Sequence, residues 1–377
     1  MSRITLERGI SYDELRENYY VYMDYGRDES GRRVRRYQTY ATLLQARQGL
    51  RAFLAQRESS RAVTPTPMTL DEWLEYWMEQ VIVPSRAETT AYSYRKIIEN
   101  HLSPALGSVP IQRLTPQRLQ SYYTFLLQEK KLSPNTIRRH HDLLSAALHT
   151  AQRQDILLRS PTDRVDPPKV VHRETRFYSP EELKTLYALC RDTPLELPVR
   201  LAGGLGLRRE ELCGLRWNCV DFSLRRVHIR SARTAAGAAI VYKETKNRSS
   251  NRVLYIEDEL LALLRREWER HRQRTAGTWE PLRDDSLVLV DRRGLPWSPN
   301  ALSLAFTRFI RRHGLPKITL HGLRHTFATV ASAQGAPLFD IGKALGHSSP
   351  ATTGRIYTHL LDQTHQAILT RVADAVR

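Results

Sequence analysis

Between Thr319 and Tyr357 the chain gathers residue types that handle phosphate. His321, Arg324 and His325 fall within five residues, His347 follows in a Gly-His-Ser-Ser turn, and Tyr357 stands ten residues later. Residues three and four apart share a helix face, so the His-Gly-Leu-Arg-His run presents its imidazoles and its guanidinium roughly together. Guanidinium and imidazole N–H groups are donors matched to phosphate oxygens, and a tyrosine hydroxyl is a nucleophile once its proton is removed. The chemistry open to such a set is attack on phosphorus inside a cradle of positive charge. The chain has 17 tyrosines, and the spacing from His347 is what singles out Tyr357.

Two upstream segments have residues of the same kind. Gly206-Leu207-Arg208-Arg209-Glu210-Glu211-Leu212 sets Arg208 three residues before Glu211 in an apolar helical run, and Thr245-Lys246-Asn247-Arg248-Ser249-Ser250 puts Lys246 at the tip of an expected β-hairpin. Each has a plainer reading. Arg208 and Glu211 are also spaced for an i,i+3 surface ion pair. Hairpin tips often carry solvated lysines, and Lys243 lies close by. His321 and His325, four apart, could grip zinc, but no Glu follows His321 as in His-Glu-x-x-His and no third ligand is evident. His325 therefore reads as a buried structural histidine, and no metal or other cofactor is expected.

Composition narrows the partner. The chain of 377 residues has a net charge of +18, which favours a polyanion, nucleic acid first, because counterion release rewards many Lys/Arg–phosphate contacts. A membrane partner is not expected: no apolar run approaches the roughly 20 residues of a span, and the first residues lack the apolar stretch of a signal peptide. Cys190, Cys213 and Cys219 form no CxxC pair and read as core fillers in a reducing, cytoplasmic compartment.

Three domains are expected to position these residues. Residues 1–60 read as a small sheet-plus-helix module, with strands at Tyr19–Asp24 and Val34–Tyr40 and an amphipathic helix through Leu43, Leu50 and Leu54. Arg32, Arg33, Arg35 and Arg36 flank its second strand, either as a solvated basic face or as a DNA-contacting one. After a linker at 61–67, residues 68–158 read as four helices. Thr69 and Glu72 have capping-box spacing, a second helix covers Thr89–Leu102, and Thr115-Pro116 and Ser133-Pro134 mark two further N-termini. The fourth helix carries Arg138, Arg139, His140 and His141 opposite its apolar stripe, a candidate phosphate-facing surface. A second linker, 159–176, leads to a third domain, 177–377, opened by Ser179-Pro180-Glu181-Glu182. It is expected to contain helices through Leu189 and over Leu197–Gly214, three strands (Arg226–Ser231, Ala239–Glu244, Arg252–Ile256), helices over Glu257–Arg274 and Asn300–Gly314, and a closing segment at Asp362–Val376. The fold class is multidomain α+β, mainly helical at its C-terminal end with a small antiparallel sheet.

Taken in order, Gly-Leu-Arg-x-x-Glu-Leu, the Lys246 turn, His-Gly-Leu-Arg-His, Leu-Gly-His-Ser-Ser and Tyr357 resemble the tyrosine recombinase (phage integrase) family along the full chain. The resemblance implies a site-specific recombinase that integrates and excises a mobile element. Arg208 and Arg324 would bind the non-bridging oxygens of a DNA phosphate, and His321 and His347 would add hydrogen bonds or help remove the tyrosine proton. Tyr357 would attack to form a 3′-phosphotyrosyl bond, and Lys246 would protonate the departing 5′ oxygen, with no metal and no ATP. Glu211 would orient an arginine. It further implies an arm-binding module (a three-stranded sheet followed by a helix) in residues 1–60 and a SAM-like core-binding domain in 68–158. Double-stranded DNA with core and arm sites would be the substrate, and a homotetramer on DNA the working form. Accessory excision and DNA-bending proteins are implied, as is a bacterial, nucleoid-associated location. The segment 362–376 would either dock on a neighbouring protomer or cap its own domain. Two alternatives share the residues: a type IB-like topoisomerase and a DNA-binding regulator with an inactive integrase domain.

Overall fold

The computed structural model describes residues 3–27, 33–58, 63–171, 176–244, 251–276 and 282–346. The chain divides into two units, Met1–His172 and Arg173–Arg377. No described helix is long and apolar enough to cross a membrane.

The first unit opens with an antiparallel sheet, β1 (Arg3–Glu7), β2 (Ile10–Asp13), β3 (Asn18–Arg27) and β4 (Arg33–Tyr40), paired in chain order and followed by α1 (Leu43–Glu58). The sheet has four strands, a correction to the three-stranded expectation. β1 and β2 are short, and the turn between them runs through Gly9 at φ 90°, so neither has the Tyr/Val richness that marked β3 and β4. Ala46 and Phe53 of α1 bury Ile10, Val21 and Met23 on one face of the sheet. Side chains alternate along a strand. With Met23 opposite Arg36 and Asp24 opposite Arg35, Arg36 lies on the helix-covered face, and Arg35 and Arg33 on the other. On that open face Asp24 pairs with Arg33 at 2.7 Å and Arg35 at 3.7 Å, and the Arg3 guanidinium stacks 4.0 Å from the Tyr20 ring centre.

The same unit holds a second, all-helical core built by α2 (Leu70–Trp77), α3 (Val83–Ser85), α4 (Glu88–Ile97), α5 (Ser103–Leu106), α6 (Pro116–Gln128) and α7 (Pro134–Arg153). The expected start signals act as they read. Thr69 and Glu72 close a capping box, and the Thr115 and Ser133 side chains accept backbone N–H bonds just ahead of Pro116 and Pro134. Trp73 and Trp77 are the largest buried anchors, and each indole N–H finds an acceptor on α7, the Ala147 carbonyl at 3.1 Å and the Thr150 hydroxyl at 3.3 Å. Truncating such a side chain to alanine costs about 3–5 kcal/mol.

The second unit packs α8 (Pro180–Cys190), α9 (Glu196–Leu205), α10 (Arg209–Gly214), α11 (Asp258–Thr275), α12 (Pro299–Arg312), α13 (Leu320–Ala333) and α14 (Leu338–Leu345) around small sheets. The single helix expected over Leu197–Gly214 is two, because Gly206 takes the left-handed conformation at φ 65°. A Cβ there would stand 2.6 Å from Leu345 and 2.8 Å from Phe327, so only glycine fits. The strands β5 (Val220–Asp221), β6 (Arg226–Ile229) and β9 (Arg252–Tyr255) form one sheet, and β7 (Ser231–Ala236) pairs with β8 (Ala239–Glu244) in another. The expected hairpin carrying Lys246 is thereby corrected. The tight turn at Gly237 commits β8 to β7, β9 pairs with β6, and the segment containing Lys246 joins two different sheets.

Candidate active site

The break at Gly206 fixes the first candidate residue. After it, Arg208 lies just outside α10 in extended conformation (φ −69°, ψ 151°), as the helix's N-cap rather than within a helix. Its backbone N–H donates to Glu211 Oε2 at 2.9 Å and its Nη1 to Glu211 Oε1 at 2.8 Å. Glu211 is only 3% exposed, so this is no surface ion pair. Arg208 Nη2 then reaches across to the Gly346 carbonyl at 2.9 Å.

The second candidate arginine comes from α13. Thr319 caps that helix by accepting the Gly322 N–H at 3.0 Å, and Arg324, one turn in, is 2% exposed. Its Nη1 donates to the Gly206 carbonyl at 2.8 Å and its Nη2 to the Leu345 carbonyl at 2.6 Å. Arg208 and Arg324, far apart in sequence, therefore converge on successive carbonyls at the end of α14. That helix ends on Gly346, left-handed at φ 69°. The last carbonyls of a helix have no partner within it and form its negative end, so guanidinium groups are their natural complement.

Sequence reasoning missed a third arginine here. Arg252, at the start of β9, is 8% exposed. Its Nη1 and Nη2 fork onto Glu211 Oε1 and Oε2 at 3.0 and 2.9 Å, while its Nε donates to the Ala344 carbonyl at 2.6 Å. Its signal was faint. In β9 it is in phase with the buried Leu254, and an arginine pointing inward on a strand demands a buried acid. Burial alone would raise the Glu211 pKa, but the hydrogen bonds and charge of Arg252, with those of Arg208, hold it below the ordinary carboxylate range.

His321 lies on the outer side of α13, and its ring meets that of the buried His325 edge-on, with centroids 4.9 Å apart. Loss of solvent around the ring, then the charges of Arg324, Arg208 and Arg209, hold its pKa below the usual histidine value, with Glu210 opposing. With the protonated form disfavoured, the imidazole can donate at one ring nitrogen and accept at the other. Lys246, His347 and Tyr357 lie outside the described residues, as do Arg32 and the segment 362–376.

The remaining candidates separate. Arg138 and Arg139 are exposed on α7, and Arg138 pairs with Asp142 at 3.2 Å. His140 is corrected: it is 1% exposed, with its Nδ1 2.9 Å from the Tyr122 hydroxyl, and so presents nothing to a phosphate. It falls in step with Ile137 and Leu144 on the apolar stripe, a phase that a basic Arg-Arg-His-His run conceals.

Comparison with known proteins places this geometry in context. The profile described as "Phage integrase family" matches residues 176–364, and one described as "Phage integrase, N-terminal SAM-like domain" matches residues 69–127. A protein of Caldanaerobacter subterraneus subsp. tengcongensis named tyrosine recombinase XerC-like is 26% identical over 367 residues, covering 92% of this chain and 93% of the relative. The ICEBs1 integrase of Bacillus subtilis is 25% identical over 280 residues, 74% of this chain and 76% of its own length. Among solved structures, the Tn1549 transposon integrase in complex with a circular intermediate DNA superposes with a TM-score of 0.68 at 21% identity, covering 81% of this chain and 99% of that one. That likeness concerns the fold: a SAM-like helical domain and a mainly helical C-terminal domain with small antiparallel sheets.

Proposed function

The chain belongs to the phage integrase family, and on that premise we propose how its own residues divide the work of strand exchange. It is a tyrosine recombinase, an enzyme that breaks and rejoins DNA in the site-specific recombination of mobile elements. Arg208 and Arg324 bind the non-bridging oxygens of the scissile phosphate and stabilise the charge that builds as phosphorus becomes five-coordinate. Tyr357 Oη attacks the phosphorus. Its P–O bond forms as the P–O5′ bond breaks, leaving a 3′-phosphotyrosyl enzyme and a 5′-hydroxyl. The tyrosine proton leaves to one histidine, His321 or His347, and the other imidazole donates to a phosphate oxygen. Lys246 gives its proton to the departing 5′ oxygen. The phosphotyrosyl bond keeps the energy of the phosphodiester, so the 5′-hydroxyl of a second duplex can reseal it without ATP.

The observation that carries this reading is the meeting of Arg208 and Arg324 on the carbonyls of Gly346 and Leu345, immediately before His347. It brings the Arg-x-x-Glu-Leu, His-x-Leu-Arg-His and Leu-Gly-His motifs to one turn of chain. The finer assignments extend the same proposal. Residues 1–60 are an arm-binding module whose open sheet face, with Arg33, Arg35 and Tyr37, meets DNA. The helical domain and the C-terminal domain clamp the core site, and four protomers hold two duplexes in the bacterial cytoplasm, with accessory excision and DNA-bending proteins setting direction. The net charge of +18 supports a DNA partner.

The test is recombination between two differently marked plasmids bearing the element's attachment sites, in excess chelator. Recombinant plasmids are the expected product. Relaxed plasmids without recombinants indicate a topoisomerase, bound but unaltered plasmids a regulator, and activity lost to the chelator a metal-dependent nuclease.

A further inference from the structure

We infer that Arg252 is a positioning residue of this active site: it neutralises Glu211 and ties β9 to the end of α14, so that Arg208 keeps its guanidinium available to the phosphate. The inference rests on the proposed role of Arg208 and Tyr357. Each Glu211 oxygen serves two donors. Oε1 accepts from Arg208 Nη1 and Arg252 Nη1, and Oε2 from the Arg208 backbone N–H and Arg252 Nη2. A carboxylate that is 3% exposed with only one arginine beside it would draw that arginine fully onto itself. With Arg252 present, Arg208 can give Glu211 one nitrogen and keep the other directed at Gly346.

The second half of the device is the end of α14. Arg252, Arg324 and Arg208 take the carbonyls of Ala344, Leu345 and Gly346 in turn, one guanidinium to each. The path of the chain into His347 is thus pinned from β9, α13 and the start of α10 at once. Arg252 is the member of the three that the phosphate chemistry does not claim, and it is buried, so its loss should show in the chemical step rather than in DNA binding. Lysine cannot replace it. A single ammonium has no planar fork for a carboxylate and cannot span to a carbonyl as well.

The experiment measures two quantities on Arg252→Met, Arg252→Lys, Glu211→Gln and the double variant Arg252→Met/Glu211→Gln. One is the single-turnover rate of covalent adduct formation on a nicked core-site suicide substrate; the other is affinity for intact core-site DNA. Arg252→Met should slow adduct formation about 100-fold, the scale of a small misplacement of a catalytic group, while core-site affinity stays within about 3-fold. Adding Glu211→Gln should recover about 10-fold over Arg252→Met, because a neutral amide needs no second cation. If Arg252→Met does not fold, recovery of folding by Glu211→Gln supports the inference on the same ground. Arg252→Lys then carries the rate test, with at least a tenfold loss expected. A rate at the wild-type level in Arg252→Met or Arg252→Lys overturns the inference, as does a double variant no better than Arg252→Met. Wild-type protein that forms no adduct, or a Tyr357→Phe variant that does, overturns the underlying reading of Tyr357 instead, and the inference falls with it.

Discussion

The general acid is the one role for which the chain offers two lysines three residues apart. Lys243 belongs to β8 and Lys246 to the segment that joins β8 to β9. Chemistry separates them where spacing does not. Sulfur in place of the bridging 5′ oxygen leaves as a thiolate and needs no proton, so an acid that protonates that atom becomes dispensable. Lys246→Ala should slow cleavage of ordinary DNA by about 10²–10⁴-fold, the usual scale for a proton donor, and cleave the sulfur-bridged substrate near the wild-type rate. Equal slowing on both substrates would remove Lys246 from the role, and selective rescue of Lys243→Ala would give it to that residue. The neighbouring residues were legible to different degrees. Arg208, Glu211, His321 and Arg324 announce themselves by spacing within short motifs. Arg252 does not, because an arginine in Asn-Arg-Val-Leu-Tyr looks like any other on a basic chain, and only the fold discloses that it faces Glu211.

At the scale of elements, what could be read was what is local. Capping chemistry needs only four consecutive residues, and the starts of α2, α6, α7 and α8 follow it. What escaped depends on contacts far along the chain. Gly206 breaks a helical run because Leu345 and Phe327 occupy the space a side chain would need. β8 and β9 join separate sheets because each has an earlier strand to pair with. His140 belongs to the core of its helical domain because the fold buries its phase of α7. That burial has a measurable consequence. Loss of solvent, then the nearby charge of His101, pushes its pKa down to about 4. A histidine whose pKa is depressed on folding gives up its proton to fold. Its contribution is fully present above the unfolded value of about 6.5 and is lost as pH falls towards 4. The full difference corresponds to about 3 kcal/mol. Urea unfolding of the wild type should lose about that much more stability between pH 6.5 and pH 4 than unfolding of His140→Gln, which keeps a hydrogen-bonding group but does not titrate. Parallel pH dependence in the two proteins would show that His140 is not buried neutral.

At the scale of the whole molecule, charge and chemistry point the same way. A surplus of 18 positive charges attracts DNA without selecting a sequence, and the arginines around Glu211 and the end of α14 concentrate part of that charge at the proposed phosphate site. The helix starts were readable because caps and periodicity are written into the local sequence. The number of strands in the N-terminal sheet was not, because β1 and β2 are too short to advertise themselves. The central claim, that this chain exchanges DNA strands through its own tyrosine, is met most directly by the suicide substrate. A core-site duplex nicked next to the scissile phosphate loses the short fragment bearing the 5′-hydroxyl and cannot be resealed. Wild-type protein should accumulate a protein–DNA species that survives denaturation and chelator, and Tyr357→Phe should form none. An adduct that forms equally well with Tyr357→Phe would contradict the account.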